Sequence, residues 1–472
     1  MLFGRASPVP GILNQNRSLL LIMITDMSTG NPRKLLFSFC LPMLVSVAFQ
    51  QLYSFVDSVV AGQFISADPV ISENAVAAIG VSTPVTLVFM AIATGSNIGC
   101  SVLISQLFGA KKIKQMKTAV YTSILSVLVL SVLLTVAGLI FARPILEWLE
   151  TPAEIMDDSL LYLNIYIFSL FFLFLYNISN GIFTALGDSK TPLYFLIFSS
   201  LLNVVLDLVF VICFGMGVGG VGWATFIAQT ISAVLAFFTL VGRIRAFEVE
   251  GRVQVFSFPM LGRLALFAVP SILQQSFVAV GNLAIQGLIN GYGPSVIAGF
   301  SSALKLNAFA ITCFNTVSGG VSSYTAQNIG AGKHERVSHG LRAAILLLLL
   351  LVAPLALLFY FFAPQMLGII LQDGSVDAIG VGAVFMRWVA PFYFAIAAKI
   401  VSDGVLRGAG ALRYFMISTF VDLLIRVALS YVLNGYCGYM SIVYAWIIGW
   451  VVSSLLSIVF YRGGVWKKKA AA

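Results

Sequence analysis

Long apolar runs separated by short polar loops fill this chain from about residue 35 to residue 461. A helix that crosses a bilayer needs roughly 20 mostly apolar residues at 1.5 Å rise each. Twelve runs qualify, at approximately 35–62, 76–104, 118–141, 159–181, 191–214, 218–242, 263–290, 296–325, 341–363, 379–402, 414–434 and 440–461. They are continuous rather than alternating, which excludes a β-barrel. The pattern predicts an all-α integral membrane protein with twelve transmembrane helices.

The runs repeat. NGIFTALGDSKTP around residue 180 matches DGVLRGAGALRYF around 403 at an offset of about 223, pairing Gly181 with Gly404 and Gly187 with Gly410. QLFGAKK (106–112) matches QNIGAGK (327–333) at about 221; Pro42 pairs with Pro270 and Pro144 with Pro364 at similar offsets. Four matches in order predict two pseudo-symmetric six-helix lobes, related by an axis along the membrane normal, with a binding cavity between them. The expected division is a cytoplasmic segment 1–34, an N-lobe 35–242, a cytoplasmic linker 243–262, a C-lobe 263–461 and a basic cytoplasmic tail 462–472.

Composition agrees: 60% of residues are hydrophobic and 10% charged, where a soluble domain carries about 25% charged. A net charge of +9 is compatible with nucleic-acid binding, but its placement argues topology. Lys111, Lys112, Lys114, Lys117, Arg243, Arg245, Arg252, Arg263, Lys333, Arg336 and Lys467–Lys469 fall on one side of a twelve-span chain. Asp68, Glu73, Glu147, Glu150, Glu154, Asp157, Asp158, Asp373 and Asp377 fall on the other, with Arg143 as their base. The positive-inside rule then sets both termini in the cytoplasm. The five cysteines show no CxxC spacing, so neither a disulfide frame nor zinc is expected. Residues 1–26 lack the basic region and cleavage site of a signal peptide, and Met27, opening a polar basic segment, is a candidate biological start.

Asp57 and Asp207 sit deep inside apolar runs, where an ionised carboxylate costs several kcal/mol. Structural carboxylates that pair to hold helices are one reading; an ion or proton site is the other. Ser199, Asn203 and Asp207 share a face of the fifth run, as do Gln50, Ser54 and Asp57 in the first, with Tyr53 beside them. Thr225 and Tyr162, from the sixth and fourth runs, fall at the same depth. Two such carboxylates titrate as a unit, and with neutral oxygens they suit a proton or a hard cation such as Na⁺. The second lobe does not duplicate the set: Ile285 stands opposite Asp57, Arg426 opposite Asn203 and Ser430 opposite Asp207. There Asp422 with Arg426 and Lys399 with Asp403 are expected ion pairs, while Lys305 and Arg387 have no sequence-local partner. Gln274 and Gln275 are candidate cavity groups. The chain has no GxxxxGK[ST] phosphate loop, so ATP is not indicated.

PMLVSVAFQQLYSFVDSVVAGQF, VLISQLFGAKK, NVVLDLVFV followed by GMGVGGVGWAT, LNAFA and SSYTAQNIGAGK together resemble the multidrug and toxic compound extrusion (MATE) family, its bacterial drug exporters above all. The likeness runs from about Met27 to the last span. It implies a secondary active antiporter, not an enzyme, that exports amphipathic, often cationic organic compounds in exchange for H⁺ or Na⁺, without a cofactor. It also implies a cation site in the N-lobe, carried over to Asp57, Asn203, Asp207 and Thr225, with Tyr162 as neighbour. Where C-lobe-coupled members carry a Glu and an Asp, this chain has Val278 and Ile396. Gln50, Gln51, Tyr53, Gln274 and Lys305 are candidate substrate-cavity residues. Expected partners are small organic substrates and membrane lipids, with a monomeric protein and no nucleic acid. A lipid-linked oligosaccharide flippase of the wider superfamily is the rival, needing a broader basic groove than Lys305, Arg387 and Arg426 offer. A haem or quinone protein is disfavoured, because His334 and His339 lie in or beside a loop.

Overall fold

A backbone in hydrocarbon has no water to bond and must satisfy its amides internally, so each apolar run becomes a helix. The computed structural model describes residues 23–63, 69–371 and 376–470, with the side chains of 54–63, 69–76 and 468–470 outside that description. Among the described residues there is no strand, and twelve helices are long and apolar enough to cross a membrane. The first lobe holds α1 (Pro32–Gln63), α2 (Pro69–Gly109), α3 (Ile113–Trp148), α4 (Ala153–Ala185), α5 (Lys190–Cys213) and α6 (Gly217–Ala246). The second holds α7 (Phe258–Asn290), α8 (Pro294–Gly330), α9 (His334–Phe361), α10 (Val376–Gly408), α11 (Leu412–Cys437) and α12 (Met440–Arg462). The chain enters α1 and leaves α12 on one face, called here the terminal face.

Most helices outrun their apolar stretches. Helix α6 reaches Ala246 and α7 opens at Phe258 with Ser257 as N-cap, so the non-helical connection is shorter than composition alone indicated. Arg243 is not a linker residue: it is buried in the last turn of α6, ion-paired to Asp188, and donates to the Thr191 hydroxyl at 2.7 Å. Pairing is what allows a guanidinium to be buried there.

The repeat is also one of packing. Leu36, Phe39 and Cys40 of α1 are buried in the core of the second lobe, while Met260 and Leu264 of α7 are buried in that of the first. Each lobe thus lends the first half of its leading helix to the other. Glycines permit the close approach: a Cβ at Gly95 or Gly99 of α2 would fall on the backbone of Ile272 or Ala268 of α7. Small residues at such a seam replace the hydrophobic drive that lipid removes. All these contacts lie in the terminal half of the membrane. Further along, the face of α8 that meets Met43 of α1 at Gly319 continues through Asn315, Thr312, Ala308 and Lys305, all exposed. The lobes therefore meet on the terminal face and part toward the opposite one.

Candidate functional site

Four helices of the first lobe present faces of matching period to one space. From α1 come Ser46, Gln50 and Tyr53; from α5, Leu196, Ser199 and Asn203; from α6, Val221, Thr225 and Ala228. Spacings of three and four residues keep each set on one helical side. Helix α4 supplies Tyr162 and Tyr166, and a turn or more deeper Tyr176, Asn177 and Asn180. The cavity they line measures about 590 Å³. It lies within the N-lobe, not between the lobes as the repeat suggested. The reason is the seam just described: interlocked at one face and parted at the other, the lobes leave an open cleft between them, not an enclosed space.

Polar groups line the cavity along its length, and the set expected from the sequence lies at the end away from the terminal face. The Asn203 side chain donates to the Thr225 hydroxyl at 3.4 Å, and both residues line the space together with Tyr162. Asp207, one helical turn beyond Asn203, is fully buried. The α-helix ends immediately after it, in a π-helical turn over Val209–Cys213. Such wide turns are frequent at functional sites, because they redirect side chains at the cost of regular hydrogen bonding. Nothing in the sequence signalled it. Asp57 extends the Ser46, Gln50 and Tyr53 spacing by a further four residues along α1, and its side chain lies outside the described residues.

The structure thus gathers Asn203, Thr225, Tyr162, Gln50 and Tyr53 around one cavity, with Asp207 packed behind it. It does not bring Gln51, Gln274 or Lys305 there. Gln51 sits about 100° around α1 from Gln50 and is exposed. Gln274 is half-buried on α7 in the other lobe, and Lys305 stands exposed on the cleft wall of α8. Sequence reasoning missed Tyr166, Tyr176, Asn177, Asn180 and Gln229, all of which line the cavity. Gln229, four residues beyond Thr225, was within reach of the one-face rule; the α4 tyrosines look like ordinary interfacial aromatics. Among the described residues no group of three or more His, Cys, Asp or Glu side chains is placed to hold a metal.

The C-lobe pairs form as expected. Lys399 binds Asp403 at 2.8 Å, and the hydroxyls of Ser418 and Ser457 donate to the second Asp403 oxygen at 3.0 and 2.7 Å. Arg426 and Asp422 lie 3.6 Å apart, and the Arg426 guanidinium stacks 4.9 Å from the Trp446 ring. Arg387 is exposed and donates to the Tyr360 carbonyl at 3.3 Å.

The MatE family model matches this chain twice, over residues 42–209 and 270–432. The protein belongs to the MATE family. The double match falls on the two lobes at an offset consistent with the internal repeat. Among relatives, the probable multidrug resistance protein YpnP of Bacillus subtilis is 27% identical over 94% of this chain and 97% of its own length. A protein named FAD transporter from Shewanella oneidensis is 24% identical over 73% and 75% of the two chains. Among solved structures, a multidrug resistance MATE transporter described as outward-facing superposes with a TM-score of 0.86, at 21% identity, covering 93% of this chain and 97% of the other. This MATE protein is accordingly a multi-pass membrane transporter built on the twelve-helix, two-lobe fold.

Proposed function

We propose that the protein is a secondary active antiporter of a bacterial plasma membrane, with both termini in the cytoplasm, that exports amphipathic organic compounds in exchange for H⁺ or Na⁺. The observation that carries this reading is the N-lobe cavity: a tyrosine- and amide-walled space with the Asn203–Thr225 pair at one end and buried Asp207 behind it. Ring faces attract organic cations by about 0.5–2 kcal/mol each, which favours cationic substrates. Carboxylate, amide and hydroxyl oxygens suit a proton or Na⁺. The coupling ion enters the Asp57–Asn203–Asp207–Thr225 set from the open side, neutralises it and drives substrate out. Return to the opposite state reloads the cavity from the cytoplasm or inner leaflet. A potential of about 100 mV contributes about 2.3 kcal/mol per charge, enough for roughly fortyfold accumulation of a neutral substrate. No cofactor and no chemical step are required, and the basic loops of the terminal face support the orientation.

The test is counterflow of a fluorescent organic cation in proteoliposomes, with a sodium or a pH gradient imposed separately. Efflux under one gradient, lost in Asp207→Asn, is the expected result; efflux that ignores both gradients would end the antiport reading. A second reading has its own observation. Lys305 is exposed on the cleft wall with no ion-pair partner among the described residues, and the Shewanella oneidensis relative is named for a flavin nucleotide. An anionic amphipath meeting Lys305 is the alternative substrate class, and competition by flavin nucleotides in the same vesicles separates the two.

A further inference from the structure

We propose that Gln106 and Gln327, with the segment Met23–Gly30 laid across the seam, form a latch that locks the two lobes together on the terminal face, and that its release gates opening to that side. The two glutamines are repeat mates, each three residues before the glycine of its QxxG motif. The Gln106 side-chain amide, on α2 of the N-lobe, donates to the Gly408 carbonyl of α10 at 2.9 Å. The Gln327 amide, on α8 of the C-lobe, donates to the Ala185 carbonyl of α4 at 2.9 Å. Ala185 and Gly408 are themselves repeat mates, so the two bonds are exchanged across the pseudo-twofold axis. Both run from lobe to lobe, and neither survives separation of the lobes at this face.

The local geometry suits a bond that breaks and reforms. Ala185 and Gly408 are the last residues of their helices, where carbonyls have no intrahelical donor. The glutamines cap them in the closed state, and water can do so in the open one. Helices α2 and α8 cross at Gly109 and Gly330, where a Cβ would overlap the backbone carbonyl of the opposing glutamine. The glycines bring the glutamines within reach of the other lobe.

The Met23–Gly30 segment adds what the repeat alone does not. The Met27 amide donates to the Gln327 side-chain oxygen at 2.8 Å, which turns the NH₂ of Gln327 toward Ala185. Downstream of that point the segment is held by the C-lobe: the Met27 carbonyl accepts from Asn328 at 3.1 Å, that of Ser28 from Lys333 at 2.8 Å and that of Gly30 from Arg336 at 3.0 Å. Upstream it is held by the N-lobe. Asp26 pairs with Lys111 at 2.6 Å, and the Thr25 carbonyl seats against Gly187, where it would overlap any Cβ and where a φ of +79° already favours glycine. Met23 touches Thr191 and Arg243. One short stretch of chain therefore straps both lobes, with the Gln327 amide beneath its midpoint.

The proposal rests on the alternating-access reading, and the experiment separates the two. Lys190 and Arg413 are exposed repeat mates on the terminal face, one per lobe. Spin labels are placed at both, after Cys213→Ser and Cys437→Ser remove the exposed thiols, and their distance distribution is measured with and without ion and substrate gradients. Gln327→Met and Gln106→Met keep bulk and remove the donors. Each is expected to raise the separated-to-closed ratio roughly two- to tenfold, the value of one net hydrogen bond. Asp26→Asn, at a half-buried position outside the membrane-spanning helices, is expected to raise it by less. If the unmodified protein never shows a separated population, the alternating-access reading fails and the latch with it. If it does, and all three variants superpose on it, the latch alone is overturned; should a glutamine variant not fold, Asp26→Asn decides.

Discussion

The two lobes share a backbone plan and diverge at one depth. In the C-lobe, Arg426 occupies the position of Asn203 and Ser430 that of Asp207, while Ile285, packed in the core, stands where the N-lobe has Asp57. The C-lobe thus carries its own cation into the membrane and clamps it between Asp422 and Trp446. At the same depth the N-lobe has an amide, a hydroxyl and a carboxylate beside a cavity of about 590 Å³. A guanidinium fixed by covalent bonds cannot leave, so the C-lobe electrostatics are constant through any cycle. A site built of oxygens can take a cation from solution and return it. The comparison teaches that duplication supplied two scaffolds whose polar sets differ at three paired positions, so that the second lobe holds a resident cation where the first holds oxygens.

The most forceful way to break this contrast is Asp207→Asn. On the proposed function it leaves expression and thermal stability near those of the parent, since a buried amide costs less than a buried carboxylate. Gradient-driven efflux should fall by at least roughly a hundredfold, a loss of about 2.8 kcal/mol in coupling at 1.4 kcal/mol per decade. Efflux in energised vesicles at matched expression measures it, and near-parental rates would dissolve the distinction between the lobes. Arg426→Met addresses the other side. Removing one partner of a buried pair leaves an uncompensated charge, costing about 3–5 kcal/mol, so the variant should melt well below the parent. Adding Asp422→Leu should recover most of the loss, and transport per folded molecule should persist in the double variant. If ion dependence changed instead of stability, the C-lobe pair would belong to the transport machinery.

How much of this contrast was legible beforehand depends on the kind of signal. Helix count, duplication and the ion pairs Asp422–Arg426 and Lys399–Asp403 follow from apolar run length and i, i+4 spacing, which are local and periodic. Asn203 and Thr225 were legible as partners because each carries its polar group on a predictable face at a predictable depth. Gln51 lies off the cavity because one residue around a helix is about 100°, so neighbours in sequence face different surroundings. Lys305 and Gln274 do not line the N-lobe cavity because both stand on the second lobe, one exposed on α8 and one half-buried on α7. The cross-lobe burial of Leu36 and Leu264, the π turn after Asp207 and the Gln106–Gln327 exchange are tertiary facts. Two QxxG motifs at a fixed offset were visible as a repeat, but nothing in either motif says that it bonds to the other lobe.

A middling effect is expected on the cleft wall. Lys305→Met removes the exposed charge of the Ser301–Asn315 face, which has no ion-pair partner among the described residues, so stability should change by less than about 0.5 kcal/mol. Competition by flavin nucleotides in the vesicle assay should weaken roughly three- to tenfold if the cleft takes anions, and cation efflux should be unchanged. No change in either would place the whole of substrate selection in the N-lobe cavity.

The smallest effect sharpens the comparison by separating gate from site. Asp26, outside the membrane, is partly buried, which opposes ionisation; hydrogen bonds from Lys111 and from the hydroxyl and amide of Ser28 outweigh that and hold its carboxyl below the ordinary value of 3.8. A depressed carboxylate stabilises the folded contact above its unfolded pKa, and the contribution is lost as pH falls through the lowered folded value. The strap is therefore anchored throughout roughly pH 5–8 and loosens only in more acidic solution. Label distances at the terminal face in the absence of substrate should accordingly be flat over that range, with any rise in the separated population confined to lower pH and absent in Asp26→Asn. If transport varies with pH inside the flat range, the titrating group is not in the strap, and loss of that dependence in Asp207→Asn is the next measurement. A distance change at neutral pH would instead put a second titrating group at the seam and tie the two regions together.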